Sequence, residues 1–253
     1  MDVKFPPFKW RPWIVAAALA LGVHAVHALS TADASFITAL ERGDLDAAAR
    51  LLDWEVNVDA QRADGKTLLI LAAKANDVVL VRKLIGVGAN VNTITSNGGT
   101  ALMFAAIAGD VETQEALLDA GADVNGIGGF DWTALMVASV KGHVPAVHQL
   151  LSNGADPNLP DIYGWTPLMR AVYEGRDEVV QALLERPGVA LNVKNDQGVT
   201  ALHLAAANGD VALTRLLLPA GADASMGDGQ GRTAENLAAA AGHAKVAKLL
   251  KQP

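Results

Sequence analysis

The sequence lacks cysteine, and aromatic residues make up only 5% of its 253 residues. The absence of cysteine excludes disulfide scaffolds, thiolate zinc sites, iron–sulfur clusters, cysteine nucleophiles and lipid attachment through a cysteine. Acidic residues outnumber basic ones, since the sequence has 27 Asp and Glu but only 20 Lys and Arg, which gives a formal charge of -7. This balance disfavours nucleic acid as a partner, since binding phosphates needs a basic surface. The 51% of hydrophobic residues predicts a folded chain whose core is mostly Ala, Leu and Val.

Residues 1–28 differ from the rest of the chain and are typical of a secretory signal peptide. Three basic residues precede an apolar run over residues 13–23, and Val26 and Ala28 are the small residues that signal peptidases recognise. A membrane anchor is the alternative, but spanning a bilayer takes about 20 apolar residues, and His24 interrupts this run. We therefore expect cleavage, export to the periplasm and no stable membrane insertion of the mature chain. Secretion, or an uncleaved membrane anchor, is the alternative location.

A threonine recurs at intervals of 33 or 34 residues over most of the chain. The series consists of Thr67, Thr100, Thr133, Thr166, Thr200 and Thr233. Nine residues after each threonine stands a glycine, except that Asn76 stands there once, and asparagine also tolerates the left-handed backbone of a tight turn. Such a period is the signature of a repeat protein, in which neighbouring units must stack to bury their apolar faces.

Residues 166–192 show the structure that one unit is expected to adopt. Thr166 can cap a helix through its hydroxyl, and Pro167 suits the first turn of that helix. Apolar residues then recur at helical spacing until Gly175, where the helix ends. A second apolar face follows directly, and Pro187-Gly188 begins an extended return. Each unit is therefore predicted to be two short helices and a protruding loop.

These repeats resemble the ankyrin-repeat family, whose signature is Thr-Pro-Leu-His-x-Ala followed by Gly-Ala-x-x-Asn. The chain has Thr166-Pro167-Leu168-Met169-x-Ala171 and Thr200-Ala201-Leu202-His203-x-Ala205, and Gly121-Ala122-Asp123-Val124-Asn125 completes the pattern. Methionine replaces the signature histidine in three units, and the first and last units depart from the motif as capping repeats do. The resemblance implies an all-α solenoid of about seven repeats, caps included.

The chain is predicted to comprise a signal peptide over 1–28, a linker over 29–32 and a repeat domain over 33–253. The expected repeats are approximately 33–61, 62–95, 96–128, 129–161, 162–195, 196–228 and 229–253.

No pattern in the sequence predicts catalysis, a cofactor or a metal ion. Gly65-Lys66-Thr67 has the end of a phosphate loop, but the glycine required five residues earlier is Ala60. A Gly-x-Ser-x-Gly elbow and a His-Glu-x-x-His motif are also absent from the sequence. Met103, Met136 and Met169 could suggest Cu(I) ligands, but they hold the same position in successive units and are expected to pack in the core.

Aromatic residues cluster between positions 130 and 173, in two adjacent units. Ankyrin proteins usually bind partners through their loop tips and the exposed face of the first helix, so the cluster predicts a partner-binding site. We expect the rings to project from exposed loop tips, which offer little core to pack against; mutual stacking that rigidifies two loops is the alternative. The predicted site residues are Phe130, Trp132, Tyr163, Trp165, Tyr173, Arg170 and Lys141.

Two functions are compatible with these features. The first is a non-catalytic scaffold of the periplasm or secreted fraction that binds a protein partner as a monomer. The alternative is a module that binds a glycan or small ligand on a platform formed by Trp132 and Trp165.

Overall fold

The computed structural model describes residues 31–54 and 56–251, and these form a solenoid of fourteen α-helices in seven consecutive pairs. In chain order they are α1 (Thr31–Arg42), α2 (Leu45–Leu51), α3 (Leu68–Ala75), α4 (Val78–Gly86), α5 (Ala101–Ala108), α6 (Val111–Asp119), α7 (Ala134–Lys141), α8 (Val144–Ser152), α9 (Pro167–Tyr173), α10 (Asp177–Leu184), α11 (Ala201–Ala207), α12 (Val211–Leu217), α13 (Ala234–Ala240) and α14 (Ala244–Leu250). No β-strand forms among the described residues, where two isolated bridges and a short 3-10 turn at Gly129–Asp131 complete the structure. The predicted all-α solenoid is confirmed.

The helices stack in two layers. The first helices of successive pairs contact one another from α3 to α13, and the second helices do so from α4 to α14. Between pairs, a loop protrudes from the layer of first helices and returns to the next threonine. This arrangement sets six similar loops side by side along one edge of the solenoid.

The repeated threonine starts each first helix as the spacing predicts. Thr166 has an extended backbone, and its side chain accepts a hydrogen bond from the Met169 N–H; Thr67, Thr100 and Thr133 cap their helices in the same way. The turn after the helix takes left-handed geometry, with φ of 64° at Gly175 and 59° at Asn76. Glycine adopts that geometry without the steric penalty of a Cβ atom, and asparagine tolerates it better than most residues. This explains the glycine of every other unit.

The core lies between the two helical layers and is built mainly from Ala, Leu and Val. Leu135, Leu150 and Leu168 are almost fully buried, as are the three repeated methionines Met103, Met136 and Met169. The methionines therefore pack in the core, as expected from their equivalent positions.

The predicted signal peptide and linker, residues 1–28 and 29–32, lie outside the described residues except for Thr31 and Ala32, which begin α1. Within residues 31–54 and 56–251, no helix is long and apolar enough to cross a membrane. The boundaries of the individual repeats stay predictions.

Candidate interaction surface at the loop tips

The protruding loops share one backbone design. In the 160–165 loop, the Asp161 N–H donates to the Trp165 carbonyl at 2.9 Å, and in the 127–132 loop the Gly128 N–H donates to the Trp132 carbonyl at 2.8 Å. Neighbouring loops are also joined, because the Ile162 N–H donates to the Phe130 carbonyl at 3.2 Å. The 127–132 and 160–165 loops are therefore joined through their backbones rather than projecting independently.

Two of the predicted tryptophans enclose an arginine. The guanidinium carbon of Arg170 lies 4.6 Å from the centroid of the Trp165 ring and 5.3 Å from that of Trp132, which is within the range of cation–π attraction. Trp132 belongs to the 127–132 loop, whereas Trp165 belongs to the 160–165 loop. Arg170 on α9 therefore connects two adjacent loops.

Asp161 binds Arg170 through one carboxylate oxygen and the backbone of its own loop through the other. Its Oδ2 accepts from the Arg170 Nε at 2.9 Å and forms an ion pair with the Nη2 atom, while its Oδ1 accepts from the N–H groups of Tyr163 and Trp165, both at 2.9 Å. The carboxylate side chain is fully buried, and that of Arg170 is only 14% exposed. A buried charge pair of this kind requires such complete hydrogen bonding.

The structure changes the expected role of Trp165. Its exposed fraction is 9%, so the expectation that it projects freely from a loop tip is wrong. The ring packs edge-on against Tyr173, with centroids 5.4 Å apart and planes at 88°. The guanidinium group of Arg170 lies over the face of the ring. Trp132 is half-buried against the core. The mutual packing alternative therefore describes both tryptophans better than free exposure does.

Two predicted aromatic residues do project into solvent. Phe130 is 61% exposed and Tyr163 is 52% exposed. Lys141 lies exposed at the last residue of α7 and makes no ion pair with any described residue. The seven predicted residues thus divide into a packed group around Arg170, an exposed pair of rings and a separate lysine.

Aliphatic residues extend the exposed pair into a longer strip, which the sequence reasoning missed. Ile94, Ile127 and Ile162 are exposed; Ile127 and Ile162 lie in the loops of Phe130 and Tyr163, and Ile94 lies in the loop before them. The signal was present in the sequence, because Ile94 and Ile127 both stand six residues before a repeated threonine. We call the set Ile94, Ile127, Phe130, Ile162 and Tyr163 the apolar strip.

Phe130 also has an unusual backbone. Its φ is 61° and that of the next residue, Asp131, is 58°, so two successive non-glycine residues adopt the left-handed conformation. For a bulky residue this conformation costs free energy, and strained residues concentrate at functional sites. An exposed ring held at this cost is a stronger candidate for a functional side chain than an exposed ring on a relaxed backbone.

The histidine at the signature position serves the fold. His203 is buried; its Nδ1 accepts from the Thr200 N–H at 3.2 Å, and its Nε2 therefore donates to the Arg232 carbonyl at 3.1 Å. Burial lowers the pKa of His203 below its ordinary value, because the charged form loses hydration. The neutral ring thus ties α11 to the loop that precedes α13.

Shallow grooves lie at the two ends of the solenoid and are separate from the strip. One, of about 430 Å³, is lined by α1 and α2 residues including Ala34 and Thr38. The other, of about 450 Å³, is lined by α13 and α14 residues including Ala239 and Lys248. Neither groove involves the aromatic loops.

Comparison with known proteins agrees with this architecture. A family model for ankyrin repeats matches three times, over residues 36–127, 125–195 and 187–253. The chain belongs to the ankyrin-repeat family. None of the curated proteins compared with it matches significantly.

A solved ankyrin domain is similar along nearly its whole length. The chain is 30% identical to the crystal structure of the ankyrin repeat domain of Bcl-3, described as a unique member of the IkappaB protein family. The match covers 86% of this chain and 98% of that one, with a TM-score of 0.76. Ankyrin repeats are typically non-catalytic protein-interaction modules, so the coarse function that the family indicates is protein–protein interaction.

Proposed function

We propose that this protein is a monomeric, exported scaffold that binds a protein partner through its loop tips, with the apolar strip as the contact surface. The observation that carries the proposal is the concentration of exposed apolar side chains. Of the eight large hydrophobic side chains that are exposed among residues 31–54 and 56–251, five lie in three consecutive loops. A patch of apolar residues rimmed by polar ones is typical of a protein-interaction site.

The packed group around Arg170 supports this role by holding the loops in place. Binding costs less free energy when the contact surface is already ordered. The ion pair with Asp161 and the two tryptophan contacts fix the 127–132 and 160–165 loops relative to each other. Phe130 and Tyr163, which stand on these loops, are thereby presented at a defined separation.

The glycan platform is less well supported. Stacking of sugar rings on Trp132 and Trp165 needs an open face on each ring, but Trp165 is buried and Arg170 occupies the space between the two. A titration of glycan fragments followed by tryptophan fluorescence tests this alternative directly. No response is expected at millimolar fragment concentrations.

Affinity capture with matched variants tests the proposed contact surface. The mature chain serves as bait for the exported fraction of its source, and captured proteins are identified by mass spectrometry. Phe130→Ser with Tyr163→Ser should abolish capture of a specific partner, because exposed aromatic anchors dominate such interfaces. The control is Trp54→Ser with Val79→Ser, which removes two apolar side chains outside the strip that are more exposed than Phe130 and Tyr163. Equal capture by both double variants would contradict the assignment of the strip.

Export is tested separately from binding. The N-terminal residue of the protein isolated from its source should follow position 28, because residues 1–28 are proposed to be removed during export. Recovery of the intact Met1 terminus, or retention in washed membranes, would contradict cleavage while leaving the binding proposal unaffected.

A further inference from the structure

We infer that the boundary between the third and fourth helix pairs is a hinge, at which the 94–99 loop moves relative to the loops that carry the rest of the apolar strip. The third pair is α5 with α6, and the fourth is α7 with α8. Four of the five residues of the strip lie in the 127–132 and 160–165 loops, whereas Ile94 lies in the loop before them. The role of the hinge in binding rests on the proposed function, but the hinge itself rests on the contacts across this boundary.

The backbone hydrogen bonds between successive loops are interrupted at this boundary. Four of the five junctions between neighbouring loops contain such a bond: from the Ser96 N–H to the Asp64 carbonyl at 3.1 Å, from Ile162 to Phe130 at 3.2 Å, from Asp196 to Tyr163 at 3.2 Å and from Gly229 to Gln197 at 2.9 Å. Within residues 31–54 and 56–251, no backbone hydrogen bond joins the 94–99 loop to the 127–132 loop. This junction can therefore open without breaking one.

Glycine backbones fill the junction instead. A Cβ atom at Gly128 would lie 2.7 Å from the Gly98 carbonyl oxygen, and one at Gly98 would clash with the Gly129 nitrogen. Contact between residues without side chains involves few atoms, and each atom pair contributes little. Phe130 and Asp131 follow directly and hold left-handed φ angles of 61° and 58°, so a shift of this loop can also release backbone strain.

Two buried polar side chains lower the stability of the two helix pairs that meet there. Gln114 in α6 and Ser139 in α7 are fully buried, and neither the amide atoms of Gln114 nor the hydroxyl of Ser139 has a hydrogen-bond partner among the described residues. The five other repeats that carry the threonine have Val, Thr or Ala in place of Gln114, and Ala or Val in place of Ser139. An unpaired polar group loses its hydration on burial without compensation, so it reduces the gain from close packing.

The layer of second helices, in contrast, is joined across the boundary at both of its ends. At one end the Asn125 Nδ2 donates to the Gly154 carbonyl at 3.3 Å, and the Asp156 N–H donates to the Asn125 Oδ1 at 2.8 Å. At the other end the His143 Nε2 donates to the Ile107 carbonyl at 3.0 Å. Because one layer is bonded and the loop edge is not, the motion is a rotation about the second helices rather than a separation of the two halves.

The next junction along the chain is fixed. Arg170 contacts the rings of both Trp132 and Trp165 and pairs with Asp161, so the 127–132 and 160–165 loops move as one unit. The hinge therefore changes the distance from Ile94 to the exposed rings and leaves the distance between those rings unchanged. A partner that contacts the whole strip selects one hinge angle from the available range.

Distances between labelled loop tips in the free mature chain test the hinge. Because the chain has no cysteine, two introduced cysteines place spin labels at chosen sites, and double electron–electron resonance gives the distribution of distances between them. One variant is Asn97→Cys with Tyr163→Cys, which spans the junction without a backbone hydrogen bond and one that has it. The matched control is Tyr163→Cys with Gln230→Cys, which spans two hydrogen-bonded junctions. All three positions are exposed, and circular dichroism establishes that each labelled chain is folded.

The distribution between positions 97 and 163 should be about twice as wide as that between positions 163 and 230, because hinge rotation changes only the first distance. Adding Gln114→Val with Ser139→Ala, which installs residues found at the equivalent positions of other repeats, should narrow the first distribution towards the second. The control distribution should not change. Equal widths without these two substitutions, or a first width that they leave unchanged, would overturn the inference.

The hinge and the proposed function fail separately. If the two widths are equal while capture of the partner still depends on Phe130 and Tyr163, the hinge is wrong and the strip stays the contact surface. If the first distribution is wide but capture does not depend on these rings, the hinge is supported and the proposed contact surface is wrong.

Discussion

The 127–132 and 160–165 loops occupy equivalent positions in adjacent repeats, yet they are stabilised in different ways. In the 160–165 loop, Asp161 accepts hydrogen bonds from two backbone N–H groups and pairs with Arg170. The equivalent position in the other loop is Gly128. A Cβ atom there would come within 2.7 Å of the Gly98 carbonyl oxygen and 2.8 Å of the Met103 sulfur, so no anchoring side chain fits.

Close contact with the preceding loop explains this difference. A Cβ at Gly129 would lie 2.3 Å from the Asn97 carbonyl oxygen, so the 127–132 loop must be small where it meets the 94–99 loop. It then lacks a side-chain anchor, and Phe130 and Asp131 take left-handed geometry. The comparison shows that one loop is locked by a buried charge pair, while its neighbour is held by close backbone packing and by Trp132 against Arg170.

The largest difference between the loops is expected on removal of their aspartates. Asp161→Ala leaves the mostly buried Arg170 without its partner and should lower the free energy of unfolding by about 3–5 kcal/mol. Asp131→Ala, in the other loop, removes an exposed residue and should change it far less. Urea denaturation of both variants measures the difference. Similar losses in the two variants would show that Asp161 is no anchor.

A double variant sharpens this result. The residue equivalent to Arg170 is apolar in each of the five other repeats that carry the threonine motif: Leu71, Phe104, Val137, Leu204 and Leu237. Replacing both charges, as Asp161→Ala with Arg170→Leu, should therefore recover part of the lost stability, because the uncompensated buried charge is gone. A further loss in the double variant would contradict this explanation.

Replacing a tryptophan should also destabilise the protein more in the 160–165 loop than in the 127–132 loop. Trp165→Ala removes a buried ring and should destabilise the protein by about 3 kcal/mol, as expected for a large buried side chain. Trp132→Ala removes a ring that is less completely buried, so a smaller loss is expected. Thermal unfolding of the two variants, compared with the wild type, tests the order. A larger loss for Trp132 would reverse the assignment of the locked loop.

Substitutions that change backbone strain should alter the free energy of unfolding less, and in opposite directions in the two loops. Asp131→Gly should stabilise the protein by about 1 kcal/mol, because glycine adopts a φ of 58° without the Cβ penalty. At the equivalent position, Gly164→Ala should destabilise it, since φ is 75° there and a Cβ would meet the Asn195 Cα at 3.0 Å. Chemical denaturation gives both values. Stabilisation by the second variant would contradict the described loop geometry.

The smallest change in the free energy of unfolding is expected on a change of pH. It involves His203, whose neutral side chain ties a loop to the core. The pKa of His203 is lowered in the folded protein, so the unfolded chain binds the proton more readily. The stabilisation by neutral His203 is complete above the unfolded pKa of about 6.5 and is lost as pH falls below it. Unfolding measured at pH 7.5 and 5.5 should show a smaller decrease for His203→Gln than for the wild type. His148→Gln, which alters an exposed histidine, is the control and should behave as the wild type does.

Much of the fold was predictable because its determinants are local in the chain. Thr166 caps α9 by accepting a hydrogen bond from the N–H three residues further along, and Gly175 ends the helix by its own backbone conformation. Both roles follow from one residue type at one position, so the 33-residue period predicted the helix pairs directly. The buried methionines could be predicted for the same reason, since they recur in phase with the threonines.

The candidate site was only partly predictable, as Trp165 and Phe130 illustrate. Both are aromatic residues of loop tips in the sequence, but one is 9% exposed and the other 61%. The difference depends on Arg170, which reaches back from α9 to cover Trp165, and on the approach of the 94–99 loop to the 127–132 loop. The Arg170 contact leaves no periodic signal, because arginine stands at this position in only one of the repeats that carry the threonine.

The sequence by itself determined the repeat, the two helices of each unit and the placement of aromatic residues in two adjacent loops, because these depend on helix capping, turn geometry and hydrophobic periodicity. Only the tertiary structure decided which of those rings are packed and which are exposed. Stacking brings the 127–132 loop, the 160–165 loop and Arg170 together across the boundary between two repeats. The exposure of each ring is therefore set by the side chains packed against it, Arg170 and Tyr173 for Trp165 and the Arg170 of the next repeat for Trp132. These contacts depend on side-chain volume and charge pairing rather than on the period that builds the stack.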